Sequence, residues 1–391
     1  MRRYFRAYPL LLTMTLNRNK SEYVFTNLVI YFGFFYYYLG SFKFLSVWIY
    51  VFAALVFFFI LWKKASALNL YLCVYLIVIL VPIFYLSLFP SISSSLVSFR
   101  FFFGSFLLIP ALIFIQKRDV EVLTKILIFI TLFEKLSIFF IPELINYLPN
   151  YTVGFSTDMA GFFIGVNSFG GGRSNTSVIF ISLGLFFYFE KQKKISFLCF
   201  LMSILAFSAS GLVIIYMIFI LVMFKRVLLF LSTNKISYTN LLFGFCAAVS
   251  LICLITFIFN LNISGTVWDR LSFDYVILIV NYKIELLMQK FGDVSASIIF
   301  FGRGAGDLTV VDGVNLTGNQ LGDFVILDMA YRYGIFGVML FGITLIYLAR
   351  NKKYRAPIIC LLLGSLHYFP AFSMPGQILI AALINLANKE R

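Results

Sequence analysis

The chain has 391 residues, of which 62% are hydrophobic and 12% are charged, and its mean hydropathy is +0.98. Soluble domains contain roughly 45–50% apolar and about 25% charged residues. The composition therefore excludes a water-soluble globule and predicts an all-α, polytopic integral membrane protein. At about 20 residues per crossing, the apolar length suffices for roughly ten to twelve helices.

Apolar stretches bounded by charged or turn-forming residues predict about 12 transmembrane helices within a single domain, 1–391. The stretches near 195–209 and 211–224 are shorter than a standard span. We interpret them as one hairpin that is partly re-entrant around 208–211. The predicted spans lie near 24–41, 44–62, 68–89, 101–115, 122–141, 175–189, 195–209, 211–224, 241–260, 323–348, 356–373 and 376–388.

Lys and Arg cluster before the first predicted span and after every second crossing. Because cytoplasmic connections collect these residues, the pattern predicts that both termini are cytoplasmic. The net charge of +15 thus orients the chain in a membrane, and it does not indicate a nucleic-acid partner. The clusters lie at 2–20, 63–64, 117–118, 191–194, 225–226, 350–355 and 389–391.

Two outer segments are long enough to build a site, one near 142–174 and the other near 261–322. Loops that a rigid scaffold positions commonly carry function. The second segment is predicted to contain a helix near 270–291, because its apolar residues recur at helical spacing.

The sequence lacks the residues that several common kinds of catalytic site require. The single histidine, His367, lies within a predicted span, and the outer segments hold no Asp-x-Asp pair. The chain contains neither His-Glu-x-x-His nor a P-loop. We therefore expect neither metal chemistry nor triad hydrolysis, and we predict no cofactor.

The remaining candidate functional residues in the outer segments are arginines and glycines. Arg173 follows three glycines, Arg270 follows an aspartate, and Arg303 lies in FFGRGAGDL. Guanidinium groups grip phosphate oxygens bidentately, and neighbouring glycines let backbone N–H groups approach a bulky anion. Anchoring at the outer leaflet is the alternative role, and it is the one we assign to Arg100. The glycines expected to contact a substrate are Gly172, Gly304 and Gly306.

The spacing of these residues resembles that of the O-antigen polymerase (Wzy) family, relatives of the O-antigen ligases. Ten residues separate Arg173 from Gly184, and nine separate Arg303 from Gly313, so each outer segment carries an Arg-x(10)-Gly type motif. The stretch from VWDRL at 267–271 to FFGRGAG at 300–306 and the segment GDFVILDMAYRYGIFGVMLFG at 322–342 are also similar to the family's pattern. FSASGLVIIYMIFIL at 207–221 resembles the Ser-rich hairpin tip of the group.

The resemblance implies the polymerase/ligase membrane glycosyltransferase fold and a site on the periplasmic face of the bacterial inner membrane. The implied substrates are glycan repeat units on undecaprenyl pyrophosphate. Partners would be membrane lipid, a chain-length regulator and other membrane proteins of the pathway. Arg173, Arg270 and Arg303 would stabilise the charge that develops on the leaving pyrophosphate.

Asp323 is the first candidate for the base that deprotonates the acceptor hydroxyl, and Asp158 is the second. Asp323 is equally suited to cap the helix that follows it. Ligases of the group place a His-Asn pair where this chain has Asp323-Phe324, which favours a polymerase over a ligase. A lipid-linked oligosaccharide flippase or other transporter remains an alternative, although we find no internal repeat of the kind typical of transporters.

Overall fold

The computed structural model describes residues 115–141, 173–206, 296–302, 325–349, 351–365 and 370–389. It also describes positions 27, 30, 108, 109, 112, 208, 211, 214, 215, 218, 274, 277, 278, 281 and 285. Every regular element among these residues is an α-helix. The five described positions between 270 and 291 are helical, in line with the helix predicted there. The predicted spans near 44–62, 68–89 and 241–260 lie outside the described residues.

Seven helices have both of their ends within the described residues. They are α1 (Lys117–Phe140), α2 (Arg173–Phe189), α3 (Lys193–Leu205), α4 (Ala296–Phe301), α5 (Val325–Leu348), α6 (Lys352–Gly364) and α7 (Met374–Lys389). In the described part of the chain, no helix has both the length and the apolar character needed to cross a membrane.

The bounds of α2, α5 and α7 lie within two residues of the predicted spans. Helix α1 begins five residues before its predicted start, because the Asp119 carboxylate accepts the backbone N–H of Gln116 at 2.9 Å and stabilises a polar first turn. The prediction of one helix across 356–373 is wrong, since α6 ends at Gly364 and residues 370–373 form a turn. The Ser365 hydroxyl holds this turn by accepting the N–H of Ala371 at 3.0 Å.

Helices α2 and α7 form the centre of the core. All described side chains from Ser174 to Gly184 and from Met374 to Asn388 are buried. Helix α2 packs against α3 and α6, and α6 in turn packs against α7. The Ser182 hydroxyl donates to the Pro357 carbonyl at 2.9 Å, which joins α2 to α6 at the carbonyl of a proline inside a helix.

Helices α1 and α3 expose large apolar side chains and bury some of their polar ones. On α1, Thr124 and Thr131 are buried, whereas Phe129, Phe133 and Phe140 are 58–73% exposed. Helix α3 has the same arrangement, whereas α2 and α7 are buried along most of their length and carry buried serine, threonine, asparagine and glutamine among their apolar side chains. A large exposed apolar surface marks a site of contact with a membrane or another protein.

A buried carboxylate joins three of the connections that the sequence predicts to be cytoplasmic. Glu190, at the end of α2, has a side chain that is only 6% exposed. It accepts hydrogen bonds from Lys117 at the start of α1, from Lys353 of α6 at 2.9 Å and from the Tyr354 hydroxyl at 3.1 Å. We call these four residues the Glu190 cluster. It fixes the ends of α1, α2 and α6 relative to one another.

Burial alone would raise the pKa of Glu190, but the hydrogen bonds from Lys117 and Lys353 outweigh it and lower the pKa below its ordinary value. A carboxyl group with a lowered pKa stabilises the fold above its unfolded pKa of about 4.3. This stabilisation is lost as the pH falls through the lowered value. The cluster is therefore fully formed at neutral pH.

We expect Glu190→Gln to lower the free energy of unfolding by about 1–3 kcal/mol at neutral pH. The substitution removes the buried negative charge that forms ion pairs with Lys117 and Lys353. The loss should shrink as the pH falls below the unfolded pKa of about 4.3 and disappear below the lowered pKa of Glu190, where the wild-type carboxylate is also protonated. Thermal unfolding of the full chain in detergent micelles at several pH values measures both effects.

Glu121→Gln is the matched control. Its carboxylate pairs with Lys125 at 2.7 Å on the exposed face of the same region, and exposed pairs contribute about 0.2–1 kcal/mol. Equal losses for the two variants, or a loss for Glu190→Gln that does not depend on pH, would contradict the role of the Glu190 cluster.

Candidate functional site

Arg173 is the one predicted site residue within the described part of the chain, as the first residue of α2. Helix α2 has 17 residues and is therefore about 25 Å long. Its other end adjoins Glu190, so Arg173 lies at the end of α2 opposite the Glu190 cluster. The other predicted site residues lie outside the described residues; these are Asp158, Gly172, Arg270, Arg303, Gly304, Gly306 and Asp323.

Immediately after Arg173, the first turns of α2 are held by buried hydroxyl groups. The Ser208 hydroxyl donates to Ser174 Oγ at 2.8 Å. Ser177 Oγ lies 2.7 Å from Ser203 Oγ and donates to the Ser203 carbonyl at 3.0 Å. We call Ser174, Ser177, Ser203 and Ser208 the hydroxyl layer. It joins the start of α2 to the end of α3, and so fixes the direction in which α2 presents its first residue.

The chain doubles back after α3, next to the hydroxyl layer. Ser203 lies level with Ser177, and Ser208, beyond the end of α3, lies level with Ser174. Gly211 is again beside Ser177, because a Cβ atom at Gly211 would lie 1.8 Å from Ser177 Oγ. Helical residues follow at 211, 214, 215 and 218. Ser208 and Gly211 thus lie beside the start of α2, within the region where the sequence predicts the hairpin; residues 207, 209 and 210 lie outside the described residues.

The approach to Arg303 is fixed by a close contact between α4 and α5. Helix α4 ends at Phe301, and Gly302 follows with φ of +80°, directly before Arg303 in the sequence. Gly334 interrupts α5 with φ of +72°, and a Cβ atom there would lie 2.0 Å from the Phe300 carbonyl oxygen. Only glycine permits this backbone and this approach. The rings of Phe300 and Phe301 both pack against Phe336, at 5.6 and 5.7 Å between centroids.

The start of α2 has the chemistry of an anion-binding end. The first backbone N–H groups of a helix have no partner within the helix, and the helix dipole places partial positive charge there. Arg173 adds a permanent positive charge at the same end. Thr176 Oγ1 is buried and has no hydrogen-bond partner among the described residues. In the described part of the chain, no group of three or more His, Cys, Asp or Glu side chains could hold a metal ion.

Two groups of contacts, the hydroxyl layer at the start of α2 and the Glu190 cluster at its end, were not predicted from the sequence. The polar run Ser174–Ser177 opens an apolar span, which is the signal for the hydroxyl layer, but its partners on α3 cannot be read from spacing alone. Glu190 is the acidic residue of a lysine-rich turn. A single acidic residue among lysines favours an ion pair. The sequence does not show that its partners, Lys117 and Lys353, come from two distant connections.

Comparisons with protein-family models, with curated proteins and with solved structures find no match to this chain.

We expect Gly211→Ala to destabilise the protein by about 1–3 kcal/mol, because the new methyl group would overlap Ser177 Oγ and push the hydroxyl layer apart. The measurement is thermal unfolding of the full chain in detergent micelles.

Gly342→Ala is the control, since a Cβ atom at this helical glycine meets nothing within 4 Å. It should be neutral or stabilising by up to about 1 kcal/mol, because alanine has the higher helix propensity. If both variants unfold at the wild-type temperature, the described packing of Gly211 on Ser177 is wrong.

Proposed function

We propose that the chain is an O-antigen polymerase of the bacterial inner membrane. It joins oligosaccharide repeat units carried on undecaprenyl pyrophosphate at the periplasmic face, during biosynthesis of the lipopolysaccharide O-antigen. The observation that carries the proposal is the position of Arg173 as the first residue of the buried helix α2, at the end away from the Glu190 cluster.

The arrangement of α2 agrees with the predicted topology. The Glu190 cluster gathers connections that are predicted to be cytoplasmic, and the opposite end of α2 begins at an arginine of the predicted outer segment 142–174. The exposed phenylalanines of α1 and the buried serines of α2 are what a lipid environment favours.

The proposed reaction is a glycosyl transfer. The acceptor hydroxyl oxygen bonds to the anomeric carbon of the growing glycan, and the bond from that carbon to the pyrophosphate oxygen breaks. The electron pair of this bond leaves with the pyrophosphate. Arg173, Arg270 and Arg303 would stabilise the negative charge on the leaving oxygens more in the transition state than in the ground state. Asp323 would take the acceptor proton, with Asp158 as the second candidate.

The hydroxyl layer explains how Arg173 can act in such a clamp. A charge contributes most to a transition state when its position is fixed before the reaction, so that no reorganisation is needed. Ser174 and Ser177 lie in the first turns of α2 after Arg173; Ser177 bonds to Ser203 near the end of α3, and Ser174 bonds to Ser208 beyond it. Gly302 and Gly334 fix the chain that leads into Arg303 in a similar way.

We expect Arg173→Ala and Arg303→Ala each to abolish long glycan chains in cells that depend on this protein, while its amount in the membrane fraction stays unchanged. Removing a donor from a charge-stabilising site costs roughly 100- to 1,000-fold in rate. Arg100→Ala is the matched control, since Arg100 is assigned to membrane anchoring. Gel separation of the extracted glycans, with immunoblots of the protein, measures both quantities.

A full ladder of chain lengths in both arginine variants would contradict the clamp. Deletion of the chain separates the related activities. Loss of a polymerase leaves single repeat units attached to the lipid A core, whereas loss of a ligase leaves none. The second pattern would replace the proposed polymerase by a ligase.

A further inference from the structure

We propose that the turn between α2 and α3, together with the start of α3, binds the phosphate headgroups of anionic phospholipids, through the exposed lysines Lys191, Lys193 and Lys194. The inference rests on the membrane location in the proposed function and is independent of its glycosyl-transfer chemistry. It assigns a lipid-binding surface at the end of α2 opposite Arg173.

In this turn the acidic side chain is buried and the lysine side chains are exposed. Its carboxylate, Glu190, points inward into the Glu190 cluster and is 6% exposed. The Gln192 amide donates to Glu121 at 3.2 Å, and the Glu121 carboxylate is already paired with Lys125. The three lysines are exposed, and none of them forms an ion pair with a described carboxylate. The surface of the turn is therefore cationic, although the turn itself contains an acid.

Apolar side chains lie directly beside these cations. Tyr188 and Phe189 are 60% and 41% exposed, and their rings form an edge-to-face pair at 5.6 Å. Aromatic rings flanked by lysines are typical of the interface between lipid headgroups and hydrocarbon. The long apolar stems of the lysines can lie in this layer while their ammonium groups reach phosphate.

Helix α3 continues this surface to the depth of one leaflet. Its exposed side chains are Phe197, Leu198, Leu201 and Ile204, which share one face, whereas its buried face carries Ser196, Cys199, Met202 and Ser203. From Lys194 to Leu205 the helix rises about 16 Å, and half of the hydrocarbon core is about 15 Å thick. A bilayer leaflet is complementary both to the lysines and to the exposed apolar face of α3, because it has anionic phosphate groups above an apolar interior. The surface of an acidic protein would be complementary to the lysines but not to the apolar face of α3.

The test uses the full chain in detergent micelles, titrated with phosphatidylglycerol or phosphatidylcholine, with bound lipids counted by mass spectrometry of the intact complex. The test variant combines Lys191→Gln, Lys193→Gln and Lys194→Gln. The matched control combines Lys63→Gln, Lys64→Gln and Lys225→Gln, which removes the same charge from other predicted cytoplasmic connections. Thermal unfolding of both variants establishes that each remains folded.

Each lysine near an anionic membrane surface contributes roughly a fivefold factor in affinity, so we expect the test variant to lose at least about tenfold in phosphatidylglycerol binding. Phosphatidylcholine binding should be unchanged, and the control variant should keep its tightest phosphatidylglycerol sites. Higher salt should weaken the wild-type binding, because the lysines are exposed.

Three outcomes would overturn the proposal. The first is wild-type phosphatidylglycerol binding by the test variant, which would leave the lysines facing water or an acidic protein partner. The second is an equal loss in the control variant. The third is displacement of phosphatidylglycerol by inorganic phosphate, which would mean a site for free anions. The proposed function fails separately if glycan chain length does not depend on this chain while phosphatidylglycerol binding follows the lysines as expected.

Discussion

Helix α2 is held by polar contacts at both of its ends, and the rest of the described structure depends on this. At one end, the buried Glu190 carboxylate accepts hydrogen bonds from α1 and α6. At the other end, Ser174 and Ser177 bond to the end of α3 and the turn that follows it. A buried polar group without a partner is costly, so each contact selects one position of α2 against its neighbours. The helix is thereby a rigid strut of about 25 Å with an arginine at its start.

This strut links the outward apolar surface to the proposed chemistry. The outer surfaces of α1, α3 and α5 are apolar, while the Glu190 carboxylate and the hydroxyl layer have their partners inside the helix cluster. A lipid-linked substrate would approach through such surroundings, and its pyrophosphate would then be the strongest charge near Arg173. The same fixed helix would separate two anions, with the substrate pyrophosphate at its start and phospholipid headgroups near its end. Arginine would serve the first site and the exposed lysines the second.

Sequence periodicity and charge predicted the helices with apolar, clearly bounded stretches, such as α2 and α7, to within two residues. They failed where hydrogen bonds between distant residues set a boundary. Helix α6 ends at Gly364, and Ser365 then accepts the N–H of Ala371, a contact that hydropathy does not predict. The candidate arginines follow from composition and resemblance. The partners of Glu190 and Ser177 do not, since they come from residues 26 to 164 positions away. Most of the predicted site, including Arg270, Arg303 and Asp323, lies outside the described residues and stays a prediction.

The central claim is that this chain itself extends a lipid-linked glycan. The direct measurement is an assay of the full purified chain in liposomes that contain undecaprenyl-pyrophosphate-linked repeat units, with no nucleotide and no ion gradient. The proposed activity predicts glycans of increasing length on the lipid, with one undecaprenyl pyrophosphate released for each unit added. Movement of unextended units across the bilayer, without any chain growth, would contradict it and would identify a transporter.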